Sequence, residues 1–259
     1  MVRLAVIILT KNEENNIEDC IQSASFADEI VVIDSGSTDA TQAKAEALGA
    51  RFVVHPMDED GFAGQRNFAL TQTEAEWVFF LDADERIVSE AAGKIREIVQ
   101  SDAKAAYFVE RKNIVFGQMM MHGAHRPDYV CRLFPRAEVK WQGKVHEGVQ
   151  TSLQEKKLTD VLRHCTYITW EQYFTKFNSY TSLAAREMLE KGKSVSSMAV
   201  MMHAFGGFFK TYVLKQGFLD GFLGFVMSFM SMMYVTVKYM KLKNMQRIKA
   251  NDSMRGGTT

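Results

Sequence analysis

Short apolar runs alternating with helical segments constrain the fold of this chain more than any other feature. The runs cover residues 4–9, 29–33, 51–54 and 77–81. Segments of helical composition follow each of them, at 14–23, 40–48, 65–71 and 89–100. Because the runs are continuously apolar, the strands are expected to be buried on both faces. The sequence predicts the α/β class, with a mostly parallel central sheet and helices on both faces.

Composition excludes several classes of protein. The 259 residues include 47% hydrophobic and 24% charged side chains, which excludes disordered, collagen-like and coiled-coil chains. The three cysteines, Cys20, Cys131 and Cys165, have neither disulfide-framework nor zinc-site spacing, so a reducing cytosol is expected. The apolar run at residues 4–9 is too short for a signal peptide and is interpreted as a strand.

Charge divides the chain into two parts. Residues 191–259 contain ten Lys and Arg against Asp220 and Asp252, so this tail carries +8 and the first 190 residues carry −8. The predicted divisions are a nucleotide-sugar half at 1–104, an acceptor half with its helix at 105–190, basic apolar helices at 191–250 and a disordered end at 251–259.

The tail also contains an uncharged run at 221–237, close to the lower limit for a membrane span. Because basic residues flank this run on both sides, we expect residues 197–243 to lie on an anionic membrane surface rather than cross the bilayer. A packed core helix or a homo-oligomer contact is the alternative, because methionine-rich faces often pack.

Acidic residues follow two of the predicted strands. Asp34 comes after the second strand, and Asp82 and Asp84 come after the fourth. Parallel strands bring their carboxyl ends to one edge, and clustered carboxylates there favour a cation. Mg²⁺ or Mn²⁺ with a phosphate ligand meets this requirement. The alternatives are a solvated turn at 82–85 and a helix cap at Ser37 or Thr38.

Four motifs in order carry a family resemblance. The segments 10–14 (TKNEE), 34–41 (DSGSTDAT), 64–67 (GQRN) and 82–85 (DADE) resemble those of family 2 glycosyltransferases with the GT-A fold. The later segments 132–134, 141–147 and 173–178 resemble a narrower branch that contains the bacterial lipopolysaccharide-core β-1,4-glucosyltransferases. With them the resemblance extends to about residue 190.

The resemblance implies inverting transfer of a sugar from a nucleotide-sugar, most often a UDP-sugar. The residues that it implies for nucleotide-sugar binding are Thr10, Asn12, Glu13, Asp34, Ser35, Arg66, Asp82 and Ala83. It places Arg66 near the diphosphate and Asp84, with Asp82, at a divalent metal. Metal and arginine would stabilise charge on the leaving diphosphate.

A carboxylate base must deprotonate the acceptor hydroxyl. Glu147 is the predicted base and Asp128 the alternative. His146 is interpreted either as a third metal ligand or as the residue that orients Glu147. Arg132 is expected to contact the diphosphate or an anionic acceptor, with a structural ion pair as the alternative. The segment 123–128 departs from the usual pattern of the branch, which leaves the acceptor open.

Together these features predict transfer of glucose or another hexose from a UDP-sugar to a membrane-anchored glycolipid such as lipopolysaccharide core. The predicted location is the cytoplasmic face of the inner membrane, with no nucleic-acid partner. Sugar transfer to polyprenyl phosphate, a nucleotidyltransferase and a non-catalytic membrane adaptor are the alternatives. The absence of Gly from residues 10–15 disfavours the nucleotidyltransferase, and the presence of Arg66, Asp82 and Asp84 together disfavours the adaptor.

Overall fold

The chain divides into two compact units. The structure, a computed structural model, describes residues 3–57, 61–143 and 148–256, with the side chains of 125 and 250–256 excepted. One unit contains Met1–Lys112 with Pro127–Cys165, and the other contains Asn113–Arg126 with Thr166–Thr259. Each unit is therefore built from two separate segments of the chain.

The first four strands form the parallel part of a central sheet. They are β1 (Leu4–Thr10), β2 (Glu29–Asp34), β3 (Arg51–Val54) and β4 (Trp77–Asp82). Strand β1 pairs in parallel with β2 and β4, and β2 pairs in parallel with β3. The predicted α/β class and parallel arrangement are confirmed for this part of the sheet.

The remaining strands make the sheet mixed. They are β5 (Glu85–Ile87), β6 (Ala106–Val115), β7 (Gln118–Met119), β8 (Tyr129–Pro135), β9 (Lys140–Gln142), β10 (Gly148–Gln150) and β11 (Glu155–Tyr167). The strand order is β3-β2-β1-β4-β8-β6-β11-β5, with β7 paired to β6 and a separate β9–β10 pair. Strands β4 and β8 are antiparallel. Within the described residues after 106, no α-helix connects consecutive strands up to β11, and such short connections suit antiparallel pairing.

Helices cover both faces of the parallel strands. They are α1 (Ile17–Ser23), α2 (Thr41–Ala47), α3 (Gly61–Leu70) and α4 (Ser89–Ser101). Alternate residues of β1 point to opposite faces, so Val6 and Ile8 belong to one buried cluster and Ile7 to another. Helices α1 and α4 contribute to the first cluster, and α3 contributes to the second. This double burial explains the apolar runs of β1, β2 and β4. The predicted burial is wrong for β3, because it lies at the edge of the sheet and exposes Arg51 and Val54.

The second unit is mainly helical. Its helices are α5 (Trp170–Glu190), α6 (Ser197–Phe209) and α7 (Gly221–Gly256), with a π-helical turn at Lys210–Leu214 and a 3₁₀ turn at Gly217–Asp220. The hydroxyl of Thr169 caps α5 and that of Ser196 caps α6 by accepting backbone hydrogen bonds. The expected helix at 170–191 and the helical tail are both present.

Candidate active site

The carboxyl ends of three neighbouring parallel strands bring predicted site residues to one edge of the sheet. Thr10 at the end of β1 is in register with Asp34 at the end of β2. On the other side of β1, Leu9 is in register with Asp82, the last residue of β4. The structure therefore places Thr10, Asp34 and Asp82 along the edge where open α/β sheets bind ligands.

The loops that follow β1 and β2 are joined by hydrogen bonds. The amide of Asn12 donates to Ser37 Oγ over 2.7 Å, and the amide of Thr38 donates to Asn12 Oδ1 over 2.8 Å. The amide of Glu13 donates to Thr41 Oγ1 over 2.9 Å. Asn12 has a φ of 54°, a left-handed conformation that asparagine tolerates. The two motifs of the resemblance thus form one structural unit.

Asp34 organises its own loop. Its side chain is buried, and Oδ2 accepts hydrogen bonds from the amides of Gly36, over 2.9 Å, and Ser37, over 2.7 Å. The Ser37 hydroxyl donates to Oδ1. The carboxylate is therefore committed to shaping the turn, and its contact with a base or ribose stays a prediction.

Two hydroxyl side chains at the same edge have different surroundings. Thr10 Oγ1 is buried and has no hydrogen-bond partner within the described ranges. Ser35 Oγ accepts a hydrogen bond from Gln65 Nε2 over 3.0 Å, and Gln65 Oε1 lies 2.6 Å from His55 Nδ1. Gln65, the residue before Arg66, thereby links α3 to the loop that follows β2.

Asp82 is held by two arginines rather than standing open to solvent. Arg132 Nη2 makes a close ion pair with Asp82 Oδ2, and Arg66 Nη2 lies 3.4 Å from Asp82 Oδ1. Both arginine side chains are almost fully buried, whereas 31% of the Asp82 side chain is exposed. The predicted contact of Arg132 is therefore, in this structure, an ion pair within the protein.

Glu85 extends this pairing away from the strand end. It is completely buried, and its Oε1 lies 2.7 Å from Arg132 Nη2 and 3.0 Å from Arg111 Nη1. Arg111 Nε in turn donates to Asp128 Oδ2 over 2.8 Å. The result is a chain of alternating charges in which three arginines face three carboxylates.

The alternating charges control ionisation. Burial alone would raise the pKa of Asp82, but Arg132 and Arg66 outweigh it and hold the pKa of this carboxyl well below its usual range. Burial alone would lower the pKa of Arg132, but Asp82 and Glu85 outweigh it and raise the pKa of the guanidinium. Both groups therefore remain charged at neutral pH.

A cavity of about 360 Å³ opens beside Asp82 and contains many N–H donors. Arg66, Arg111, Arg132 and Trp141 line it, and the Arg66 guanidinium lies 4.7 Å from the Trp141 ring centroid. Arg132 Nε and Trp141 Nε1 are buried without a hydrogen-bond partner in the part of the chain that the structure describes. A cavity lined by donors suits a ligand rich in oxygen acceptors, such as a phosphate.

Asp84 faces a different side chain from Asp82. Asp84 Oδ2 lies 3.2 Å from His164 Nε2 of β11, and both side chains are largely buried. The amide of Cys165 donates to the Asp84 backbone oxygen over 2.9 Å. Ala83, between the two aspartates, is buried at 2% exposure, and its contact with the nucleotide-sugar stays a prediction.

Asp84 and His164 supply an oxygen and a nitrogen that fit a divalent cation. Within the described ranges, no group of three or more His, Cys, Asp or Glu side chains has metal-binding geometry. Two protein ligands suffice where substrate phosphate and water complete the coordination, as is usual for Mg²⁺. The donor set therefore fits the predicted metal, with His164 beside Asp84.

The predicted catalytic base could not be placed. Glu147 and His146 lie outside the described residues. Asp128, the alternative base, is described: a quarter of its side chain is exposed, and it pairs with Arg111.

Sequence reasoning missed Arg111 and His164. Arg111 lies within β6, and an isolated arginine in a strand carries no local signal of its partners. His164 lies in β11, 80 residues after Asp84. An isolated histidine in a strand has no ligand spacing, so only the pairing of β11 with β5 reveals its position.

Comparison with known proteins settles the family. The profile described as Glycosyl transferase family 2 matches residues 5–167. The chain belongs to glycosyl transferase family 2. The profile covers β1 through β11, including every described residue of the edge and the cavity.

Relatives match over nearly the whole chain. The lipopolysaccharide core biosynthesis glycosyltransferase LpsC of Rhizobium meliloti is 28% identical over 260 residues, covering 97% of this chain and 96% of LpsC. An uncharacterized glycosyltransferase of Rickettsia bellii is 28% identical, covering 95% and 87%. The resemblance to the family and its lipopolysaccharide-core branch is thus confirmed. A solved structure, Staphylococcus aureus TarS 1–349 with UDP, is 15% identical with a TM-score of 0.47, covering 95% and 91%.

Proposed function

We propose that the chain transfers a hexose, with inversion, from a UDP-sugar to a membrane-anchored glycolipid such as lipopolysaccharide core. One observation carries the proposal: a cavity lined by N–H groups lies beside Asp82, at the ligand-binding edge of the sheet. The family supports sugar transfer, and the name of LpsC supports a lipopolysaccharide acceptor.

Arginines supply the charge that the departing diphosphate needs. Arg66 and Arg132 are buried, and Arg132 is kept charged by Asp82 and Glu85. Preorganised positive charge in a poorly solvated site stabilises developing negative charge without reorganisation. We assign Arg66 and Arg132 to the diphosphate, with the Thr10 hydroxyl and the loop around Asp34 near the nucleoside.

For diphosphate to bind there, the guanidinium N–H groups of Arg132 must hydrogen-bond to both Asp82 and the ligand. Its Nε is the donor without a partner among the described residues, so this sharing need not break the ion pair with Glu85. Asp82, with part of its side chain exposed, can then turn toward ribose or metal.

We assign Mg²⁺ or Mn²⁺ to Asp84 and His164. When bound, the cation would neutralise charge on the diphosphate oxygens. His164 Nε2 and Asp84 Oδ2 face each other over 3.2 Å, so a cation bound by these two atoms would replace the contact between them. Asp82 and His146 remain candidates for a further ligand.

For the base we retain Glu147, with Asp128 as the alternative. Asp128 accepts a hydrogen bond from Arg111, which commits one oxygen to the charge chain. The carboxylate that removes the acceptor proton must lie within about 2.6–3.2 Å of that hydroxyl or reach it through one water.

The proposed location is the cytoplasmic face of the inner membrane, where residues 197–243 would meet the lipid surface. An 18-residue window within Gly217–Lys249 has a mean hydropathy of 1.5, and the segment is long and apolar enough to cross a bilayer. The core helix of a soluble protein passes the same test of length and composition. Homo-oligomerisation through the same helices is the competing role.

A donor screen tests the proposal. Purified full-length chain is incubated with UDP-, GDP-, ADP- and CMP-sugars, with and without each metal, and nucleotide release is measured with and without a truncated lipopolysaccharide. We expect metal-dependent release from a UDP-hexose that the glycolipid accelerates. Release of UMP from a UDP-hexose would refute sugar transfer with a diphosphate leaving group, and transfer only to polyprenyl phosphate would refute the proposed acceptor.

A further inference from the structure

Helices α6 and α7 form an antiparallel hairpin. At one end, Lys243 Nζ donates to Ser197 Oγ over 2.8 Å, and Gln246 Nε2 donates to the backbone oxygen of Lys193 over 2.7 Å. At the other end, the rings of Phe208 and Phe225 lie 6.0 Å apart. We call residues 205–229 the hairpin tip, and residues 193–197 with 238–248 the hairpin base.

The tip exposes large apolar side chains. The exposed members are Phe205, Phe209, Val213, Leu214, Phe218, Leu219, Phe222, Phe225 and Phe229. Phe222 is 81% exposed and Leu214 67%, and Met201 and Met202 continue the apolar surface along α6. Monomeric soluble proteins rarely expose a contiguous apolar surface of this extent.

The charge that the tip presents at its surface is positive. Its charged residues are Lys210, Lys215 and Asp220. Asp220 is buried, and its carboxylate accepts hydrogen bonds from the amides of Met121, over 3.1 Å, and His122, over 2.9 Å. The negative charge is therefore taken up inside the unit. Lys210 is exposed, and Lys215 Nζ, which donates to the backbone oxygen of Arg126 over 3.3 Å, has further N–H groups to offer a partner.

The base is polar and packed on α5. Lys241 Nζ donates over 2.8 Å to Thr181 Oγ1 and to the backbone oxygen of Asn178. Helix α5 also runs beside the apolar part of α7, with the Phe177 ring 5.9 Å from the Tyr234 ring. This stretch of α5 carries Glu171 and Lys176. If α7 crossed a bilayer, these charges of α5 would enter hydrocarbon with it, which is costly.

We propose that the hairpin tip inserts into one leaflet of an anionic phospholipid bilayer while the base stays outside it. The apolar side chains of the tip displace headgroups and reach the acyl boundary, and Lys210 and Lys215 bind lipid phosphates. This architecture matches an interfacial anchor rather than a membrane span. It goes beyond the surface contact proposed above, and it does not rest on the proposed reaction, because no donor or acceptor is needed for binding.

Vesicle sedimentation tests the insertion. Full-length chain is mixed with phosphatidylcholine vesicles, with and without phosphatidylglycerol, and the bound fraction is measured for Phe222→Ser and for Ile248→Ser. Ile248, 52% exposed on the same helix, is the matched control in the base. Burial of a phenylalanine predicts that Phe222→Ser lowers the partition coefficient about tenfold. The control should change it less than about twofold, as for other surface substitutions.

Several results would overturn the proposal. These are equal losses in the two variants, equal binding to neutral and anionic vesicles, and no binding of the unsubstituted chain. Dimers in solution that Phe222→Ser converts to monomers, without vesicle binding, would assign the surface to a second copy. Circular dichroism of both variants checks that the helices are retained.

Labelling distinguishes insertion into one leaflet from crossing. The Leu219→Cys variant, changed at an exposed residue of the tip, is added to preformed vesicles that enclose a membrane-impermeant maleimide, with the unsubstituted chain correcting for Cys165. We expect no labelling of residue 219 before detergent is added. Labelling of residue 219 in intact vesicles would contradict insertion in one leaflet. Failure of the donor screen with intact vesicle binding would refute the proposed reaction alone.

Discussion

Replacing Arg132 by methionine is the sharpest test of the charge chain beside Asp82. The side chain is 3% exposed and pairs with Asp82 and with the fully buried Glu85. Methionine keeps most of the volume and removes the charge. Within the described residues Glu85 then retains Arg111 as its ion-pair partner and the amide of Asp82, which donates to its Oε2 over 3.1 Å. Removing one partner of a buried ion pair typically costs about 3–5 kcal/mol. That is a large fraction of the roughly 5–15 kcal/mol by which a domain is stable.

Urea unfolding in a fixed detergent, followed by the fluorescence of the three tryptophans, of which Trp77 and Trp141 are buried, measures this loss. The matched control is Arg136→Met, at the residue that follows the last residue of β8. Arg136 pairs with Glu74, which is 91% exposed, so its loss should cost no more than about 1 kcal/mol. We also expect Arg132→Met with Glu85→Gln to cost less than the sum of the single changes, because the second change removes the stranded charge. A loss below about 1 kcal/mol for Arg132→Met, equal to the control, would refute the reasoning.

Three further predictions concern chemistry and pH. His164→Ala should raise the metal concentration needed for half-maximal nucleotide release at least about tenfold, whereas His203→Ala should not; equal metal curves would remove His164 from the metal site. Glu147→Gln should leave UDP affinity unchanged within about twofold but slow transfer by about 10²–10⁴, and undiminished transfer would move the base to Asp128. Because the folded pKa of Asp82 lies below its unfolded value, its ionisation stabilises the fold above about pH 4 and this stability is lost as pH falls further. Below about pH 4 the free energy of unfolding should therefore fall less steeply with pH in Asp82→Asn than in the unsubstituted chain. An equal dependence on pH in the two proteins would contradict the ion pairing of Asp82.

The parallel half of the fold was predictable because its signal is local. Each strand of 4–82 is a continuous apolar run, and the double burial of Val6 and Ile7 in separate clusters is what such a run means. The antiparallel half was not predictable in detail, because its pairings join distant residues. Strand β5 has three residues, and its pairing of Ile87 with Leu162 leaves no pattern in either segment.

The candidate site divides in the same way. Asp34, Asp82 and Asp84 were found because they follow strands, and position after a strand is visible in the sequence. The side chains around these aspartates could not be predicted, because they come from distant strands. Arg132 of β8 is 50 residues after Asp82, and His164 of β11 is 80 residues after Asp84. Sequence therefore predicts the carboxylates of the edge, and the fold determines that arginines engage Asp82 while a histidine engages Asp84.

Calorimetric titration with UDP tests the central claim most directly: the edge beside Asp82 binds a nucleoside diphosphate with a divalent cation. We predict saturable heat with UDP, at least about tenfold tighter in Mn²⁺ than in chelator, and loss of that metal effect in Asp84→Ala. Absence of saturable heat in both conditions, or equal affinity with and without Mn²⁺, would contradict the account.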